Sequence, residues 1–221
     1  MNVKYNFLDT VWHYTQNDDA KILPKDPRIL ELLNCVCEIF IEFPNDEIEP
    51  PSSCVMALAA NSGASFPGAV SASLNCITDQ HLLLERVADF IEVNFNNTYS
   101  KVIDENKIIP GFGHPSIKGE DKRVKFLLEE FDDLCGPRVN FCKYIEARLP
   151  VKMNIGSAIA SLLLDSGIKK EYVLFFPLVG RMFGWNKIYN SVKSNFSKVI
   201  PSHKLTGSYT SSENYVGPQY Y

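Results

Sequence analysis

Between Pro110 and Arg123 the chain gathers the groups needed to hold an anion and move a proton. The run is Pro110-Gly111-Phe112-Gly113-His114-Pro115-Ser116-Ile117-Lys118-Gly119-Glu120-Asp121-Lys122-Arg123. Two glycines flank one aromatic, so the backbone can turn tightly and come close to a ligand. An imidazole follows at His114, an ammonium at Lys118 and a guanidinium at Arg123. Asp121 stands where a helix N-cap belongs, ahead of the apolar-periodic Val124, Phe126, Leu127 and Leu128. Glu120 and Asp121 suit the positive end of that helix. Backbone N–H groups, an ammonium and a guanidinium can cradle a polyanion, and a histidine can carry a proton near neutral pH. A plain glycine turn before a helix, with an incidental histidine, would use the same letters, so the run needs support from the rest of the chain.

The elements that must position this run read as helices. Phe7, Leu8, Val11, Trp12 and Tyr14 predict a short amphipathic helix over 6–16. An apolar helical period over 27–42 follows, opened by Pro27 and carried by Ile29, Leu32, Leu33, Val36 and Phe40. Pro44 and Pro50-Pro51 bound a loop. From Ser53 to Ala72 small residues dominate (Ala57, Ala59, Ala60, Gly63, Ala64, Gly68, Ala69), which predicts closely packed helices broken near Phe66-Pro67-Gly68. Further helices are expected over 81–95, 121–134, 138–148 and 154–165, the last ended by Gly167. A long pattern over 172–191 is expected to bend around Phe176-Pro177. The tail from Ser194 has no period. Strand alternation and repeats are almost absent, so the fold class is all-α.

The chain has 221 residues, 45% hydrophobic and 22% charged, with a net charge of -4. That suits one medium soluble domain, or two lobes sharing a core. It excludes a nucleic-acid or membrane footprint built on bulk positive charge. No apolar run is long enough to span a bilayer, and Met1 to Asn6 lacks the apolar core of a signal peptide. The six cysteines form no C-x-x-C pair and mostly sit in apolar patterns. They read as reduced, mostly buried thiols of a cytoplasmic protein, with no metal site.

Three segments together resemble the citrate synthases. Pro110-Gly111-Phe112-Gly113-His114 with Asp121 and Arg123 is similar to their P-G-x-G-H…D-P-R segment, with Lys122 in place of the proline. Asn154-Ile155-Gly156 and the turn at Gly167 resemble the N-V-D helix and its L-G-I end. Phe175-Phe176-Pro177-Leu178-Val179-Gly180-Arg181-Met182-Phe183-Gly184-Trp185 resembles F-x-x-x-R-x-x-G-W. Order and spacing agree for all three. Leu33 to Ile91 also resembles the citryl-CoA lyase module of ATP-citrate lyases. The resemblance covers most of residues 7–200. It implies a citrate synthase-like multi-helix fold over 1–221, compact and lyase-type, lacking the N-terminal helices of a full-length synthase. Residues 105–150 are a candidate small lobe and 194–221 an irregular tail.

The resemblance also implies a chemistry: making or cleaving a carbon–carbon bond between an acyl-CoA and a keto-acid such as oxaloacetate. It gives His114 as the contact to the keto-acid, and Arg123 and Arg181 as carboxylate-binding arginines. Gly111, Phe112 and Gly113 would present backbone to the coenzyme A adenine, and Lys118 would serve its phosphates. His81 sits near the L-H-G histidine that donates to the enolate oxygen, although Leu82 stands at the glycine. A helix-start histidine without a catalytic role fits the same letters. No cofactor is implied beyond the thioester as substrate, and the family's habit implies a homodimer.

Several departures bear on turnover. The catalytic aspartate of N-V-D falls on Gly156. The histidine of the H-x-D-H-E segment falls near Asp46. The arginine of R-P falls on Ile200, and Lys187-Ile188 replaces the histidine after G-W. A general base is worth about 10²–10⁴ in rate. Asp46 is the candidate replacement carboxylate. The readings that follow are an enzyme with a rebuilt site, a carboxylate- or CoA-binding relative with a regulatory or structural role, and an unrelated helical module. The last would make three ordered motifs a coincidence.

Overall fold

The structure, a computed structural model, describes residues 26–41, 50–78, 81–82, 84–96, 102–103, 109–114, 117 and 119–194. Asp46, Lys118, Ile200, the helix expected over 6–16 and the tail lie outside them. Among the described residues there are eight α-helices, two short 3-10 turns and no strand. The helices are α1 Pro27–Ile41, α2 Pro51–Asn61, α3 Phe66–Leu74, α4 Leu84–Asn94, α5 Lys122–Glu130, α6 Pro137–Glu146, α7 Ile155–Asp165 and α8 Phe175–Ser194. The all-α expectation holds, and no described helix is long and apolar enough to cross a membrane.

The chain divides into two compact units. One contains α1 up to Phe40 and the stretch Leu82–Gly180; the other contains Ile41–His81 and the chain from Arg181. In the first unit α7 is the central post. All its residues except Gly156 and Asp165 are buried, including Leu162, Leu163 and Leu164, and α4, α5 and α6 pack on it. A helix apolar on every side must be covered on every side. Each fully buried leucine there contributes about 1.5–3 kcal/mol relative to exposure. Gly167 ends α7 at φ +80, with Ile168 N–H reaching Leu163 O and Gly167 N–H reaching Leu164 O.

α6 begins on a borrowed cap. Asp165 accepts from Gly136 N (2.8 Å), Arg138 N (3.1 Å) and Val139 N (2.9 Å), so the last residue of α7 satisfies the orphan donors of α6. α8 starts at Phe175, which puts Pro177 in the first turn, where no intrahelical N–H is required. The bend expected at Phe176-Pro177 is therefore a helix start. Lys170–Tyr172 forms a separate 3-10 turn. Gly180 is required by a close crossing: a Cβ there would sit 2.1 Å from the backbone oxygen of Cys37 on α1.

In the second unit α2 and α3 pack on one another, with Met56, Ala57, Ala60 and Ala69 buried, as the small-residue run predicts. The break falls at residues 62–65, before Phe66. Tyr189 of α8 donates to Ala64 O at 2.9 Å, and its ring meets Phe66 edge-on at 5.2 Å. All six cysteines are free thiols, but only Cys37 and Cys142 are buried.

Candidate functional site

The glycine turn is clasped to the start of α7. Gly113 N–H donates to Lys152 O at 2.7 Å, and Phe112 bridges Met153. Asn154 N–H donates to Gly111 O at 3.0 Å. The Asn154 side chain closes the clasp: Nδ2 donates to Gly113 O at 2.8 Å, while Oδ1 caps α7 by accepting from Gly156 N (2.9 Å) and Ser157 N (3.3 Å). One amide thus fixes both the turn and the helix end. Its capping role is readable from sequence; its grip on a turn 41 residues away is not.

Gly111 has no substitute here. Its φ is +87, and an added Cβ would meet Ser157 Oγ at 2.0 Å and Val87 Cγ1 at 2.9 Å. The turn therefore lies directly on α7. Phe112 is half-buried and packs on the core, so its ring anchors the turn.

His114 leaves the turn with a fixed tautomer. Its Nδ1 accepts from Ile117 N–H at 3.0 Å, so the ring proton of the neutral imidazole sits on Nε2. Burial pushes its pKa below the ordinary 6.5, the Arg123 charge adds to this, and Asp121 opposes both. At neutral pH His114 is a neutral N–H donor, suited to polarising a carbonyl or holding a carboxylate oxygen.

Arg123 is already engaged. Asp121 caps α5 by accepting from Arg123 N–H at 3.0 Å. The same carboxylate takes Arg123 Nε at 3.0 Å and Nη2 at 2.7 Å, a two-pronged ion pair. Burial alone would raise the Asp121 carboxyl; the Arg123 bonds and charge outweigh it and hold the group below the usual 3.8. Gly156 occupies the second position of α7, and a Cβ there would lie 3.0 Å from Asn154 Oδ1. The structure thus brings Gly111, Phe112, Gly113, Asn154 and Gly156 into one clasp, with His114 and the Asp121–Arg123 pair following it along the chain.

His81 and Arg181 belong to the other unit. His81 lies ahead of α4, which begins at Leu84, so it does not start that helix. It exchanges both backbone hydrogen bonds with Thr78 (2.9 and 2.8 Å), and its Nε2 lies 3.1 Å from the buried Ser52 Oγ. Leu82 follows with φ +65, a left-handed conformation that glycine adopts without strain and leucine does not. Arg181 is 4% exposed on α8, one turn before the fully buried Trp185. Among the described residues no cluster of three or more His, Cys, Asp or Glu could hold a metal.

Comparison with known proteins shows which family the chain belongs to. No curated protein sequence matches the chain. The citryl-CoA lyase of Hydrogenobacter thermophilus has a similar solved structure, with a TM-score of 0.74 at 20% identity, covering 98% of this chain and 88% of that one. The ATP citrate lyase of Methanothrix soehngenii, solved in complex with citrate and coenzyme A, gives 0.68 at 17% identity over 88% of this chain and 37% of its own. A mutant ATP citrate lyase of Methanosaeta concilii, in complex with (3S)-citryl-CoA, gives the same TM-score of 0.68 and identity of 17%. At such identities the likeness is one of fold. Residues 46–191, about two thirds of the 221, match the family described as citrate synthase, C-terminal domain, and the chain belongs to that family.

Proposed function

We propose that this protein binds a small di- or tricarboxylate and an acyl-CoA thioester, and that on its own it makes or cleaves the carbon–carbon bond between such partners only slowly. The observation that carries the reading is the contrast at the start of α7. The Gly111–Gly113 turn is clasped in place and His114 is set as a neutral Nε2–H donor, while Gly156 stands where the family resemblance puts the catalytic aspartate. Donors that orient a substrate are kept and the base that would take its α proton is gone. Asp121 is no replacement, because its lowered pKa and its ion pair with Arg123 make it a poor proton acceptor.

In this reading His114 Nε2–H donates to a ligand oxygen, and the turn offers backbone to the coenzyme A moiety. His81 and Arg181 keep the donor and carboxylate-binding roles that the family resemblance gives them. Citrate and coenzyme A, present in the Methanothrix soehngenii lyase structure, are the first ligands to test by calorimetry. A hydrogen bond to a charged ligand is worth about 1.5–3 kcal/mol, so His114→Ala should weaken citrate about tenfold or more. Absence of any heat or thermal shift with citrate and with coenzyme A in the wild type would end the proposal. Coenzyme A release from acetyl-CoA and oxaloacetate at ordinary synthase rates would replace it with a fully active enzyme.

A further inference from the structure

We propose that Asp121 is a built-in competitor for the Arg123 guanidinium and sets how tightly this protein holds a carboxylate ligand. The inference rests on the reading that the His114–Arg123 end of the turn takes a carboxylate. A guanidinium offers two bidentate faces, the side edge of Nε and Nη2 and the end edge of Nη1 and Nη2. Asp121 occupies the side edge with bonds of 3.0 and 2.7 Å. Only the end edge is left for an incoming carboxylate. Arg123 keeps 18% side-chain exposure, so the side chain is not sealed from solvent.

Asp121 is a strong competitor for two reasons. It lies two residues from Arg123 on the same helix start, so no translational entropy is lost when the pair forms. It is also fixed independently of the guanidinium, because its Oδ1 caps α5 through Arg123 N–H. The carboxyl is 4% exposed, so its charge is little screened and cancels that of Arg123 at short range. The Asp121–Arg123 pair therefore presents no net charge to an anionic ligand.

The cap and the competition are separable. In Asp121→Asn the side-chain oxygen can still accept from Arg123 N–H, but the charge is gone and the amide turns N–H groups toward Nη2. In Asp121→Ser the hydroxyl keeps the cap and is too short to span the fork. Both variants should free the side edge. Citrate titrated calorimetrically into the whole chain at pH 7.5 should bind each variant more tightly than wild type, by about fivefold or more, with a steeper loss of affinity on adding salt. A residue with a merely structural role would change affinity in the opposite direction. The His114 titration midpoint, followed by NMR, should move down in both variants, because Asp121 is the charge that opposes the Arg123 effect on it. If the variants are folded and bind citrate as weakly as wild type or more weakly, the competitor role is overturned while carboxylate binding stands. If wild type and variants alike show no citrate binding, both fall. If one variant fails to melt cooperatively, the other and the NMR midpoint decide.

Discussion

The sharpest test of the reading of α7 is Gly156→Asp. The substitution places a carboxylate at the second position of the helix, where the family resemblance puts one. The added Cβ lies 3.0 Å from Asn154 Oδ1 and 3.9 Å from Val87 Cγ2. The first contact is tight, and the Asn154 oxygen must give by a few tenths of an ångström. Against that, aspartate in a helix is worth roughly 0.3 kcal/mol more than glycine. A carboxylate in the first turn gains about 0.3–1 kcal/mol from the helix dipole. These effects nearly cancel, so the melting temperature should stay within about 4 °C of wild type. The rate should not stay. A positioned general base contributes about 10²–10⁴, so coenzyme A release from acetyl-CoA and oxaloacetate should rise by about that factor. Gly156→Asn, of equal size and without a base, should leave it flat. Equal rates for the aspartate and asparagine variants, with ligand binding intact, would refute the view that the missing base is what limits turnover. A wild type turning over at roughly 1–10³ s⁻¹ would refute it more directly and point to another carboxylate, Asp46 first.

Three further outcomes follow from the geometry. Gly111→Ala forces a side chain into φ +87 and against Ser157 Oγ and Val87 Cγ1, and should cost at least about 3 kcal/mol in urea unfolding; adding Ser157→Gly should recover the part due to Ser157 and leave the Val87 contact with about 1–2 kcal/mol of backbone strain. Gly180→Ala sets a Cβ against the Cys37 backbone oxygen at 2.1 Å and should lower stability by about 2 kcal/mol or more, and an unchanged urea midpoint would show that α1 and α8 yield easily. The folded pKa of His114 is depressed below 6.5, so its contribution to stability is full above that pH and is lost as pH falls toward the folded value; Asp121, depressed below 3.8, keeps its contribution until pH falls below that range. Thermal melts from pH 7.5 to pH 5.5 should therefore lose less stability in His114→Gln than in wild type.

Much of the scaffold was readable as helical period and punctuation. Pro27, Pro51 and Pro137 open helices where proline is tolerated, and Gly63 and Gly167 end them at positive φ. What stayed hidden were partners far apart in sequence or set by unusual backbone. Asp165 caps a helix whose first residue lies 28 positions upstream, and no local pattern announces that. Asp121 and Arg123 are two apart, a spacing that does not pair on a helix surface. They pair because Asp121 stands outside the helix in extended conformation, with ψ 115, and folds back over the first turn. The motif marked Arg123 as a carboxylate binder, and it could not reveal that a carboxylate of the same chain already sits on it.

Leu82 bears on whether its surroundings hold His81 in place. The family pattern puts a glycine after the histidine, and here a leucine adopts φ +65 regardless. A left-handed leucine costs about 1–2 kcal/mol, and a chain free to choose would relax it. The strain persists where the neighbouring contacts over-determine the backbone. His81 is tied to Thr78 through both backbone bonds and lies beside Ser52 Oγ through its ring, while the Leu82 side chain packs on the hydrophobic core. The backbone path that presents His81 is thus held by its contacts against the strain of the leucine. At Gly156 the start of α7 is likewise held, by the Asn154 cap. Backbone fixed at both positions, with no carboxylate side chain at Gly156, makes binding rather than turnover the property to measure first.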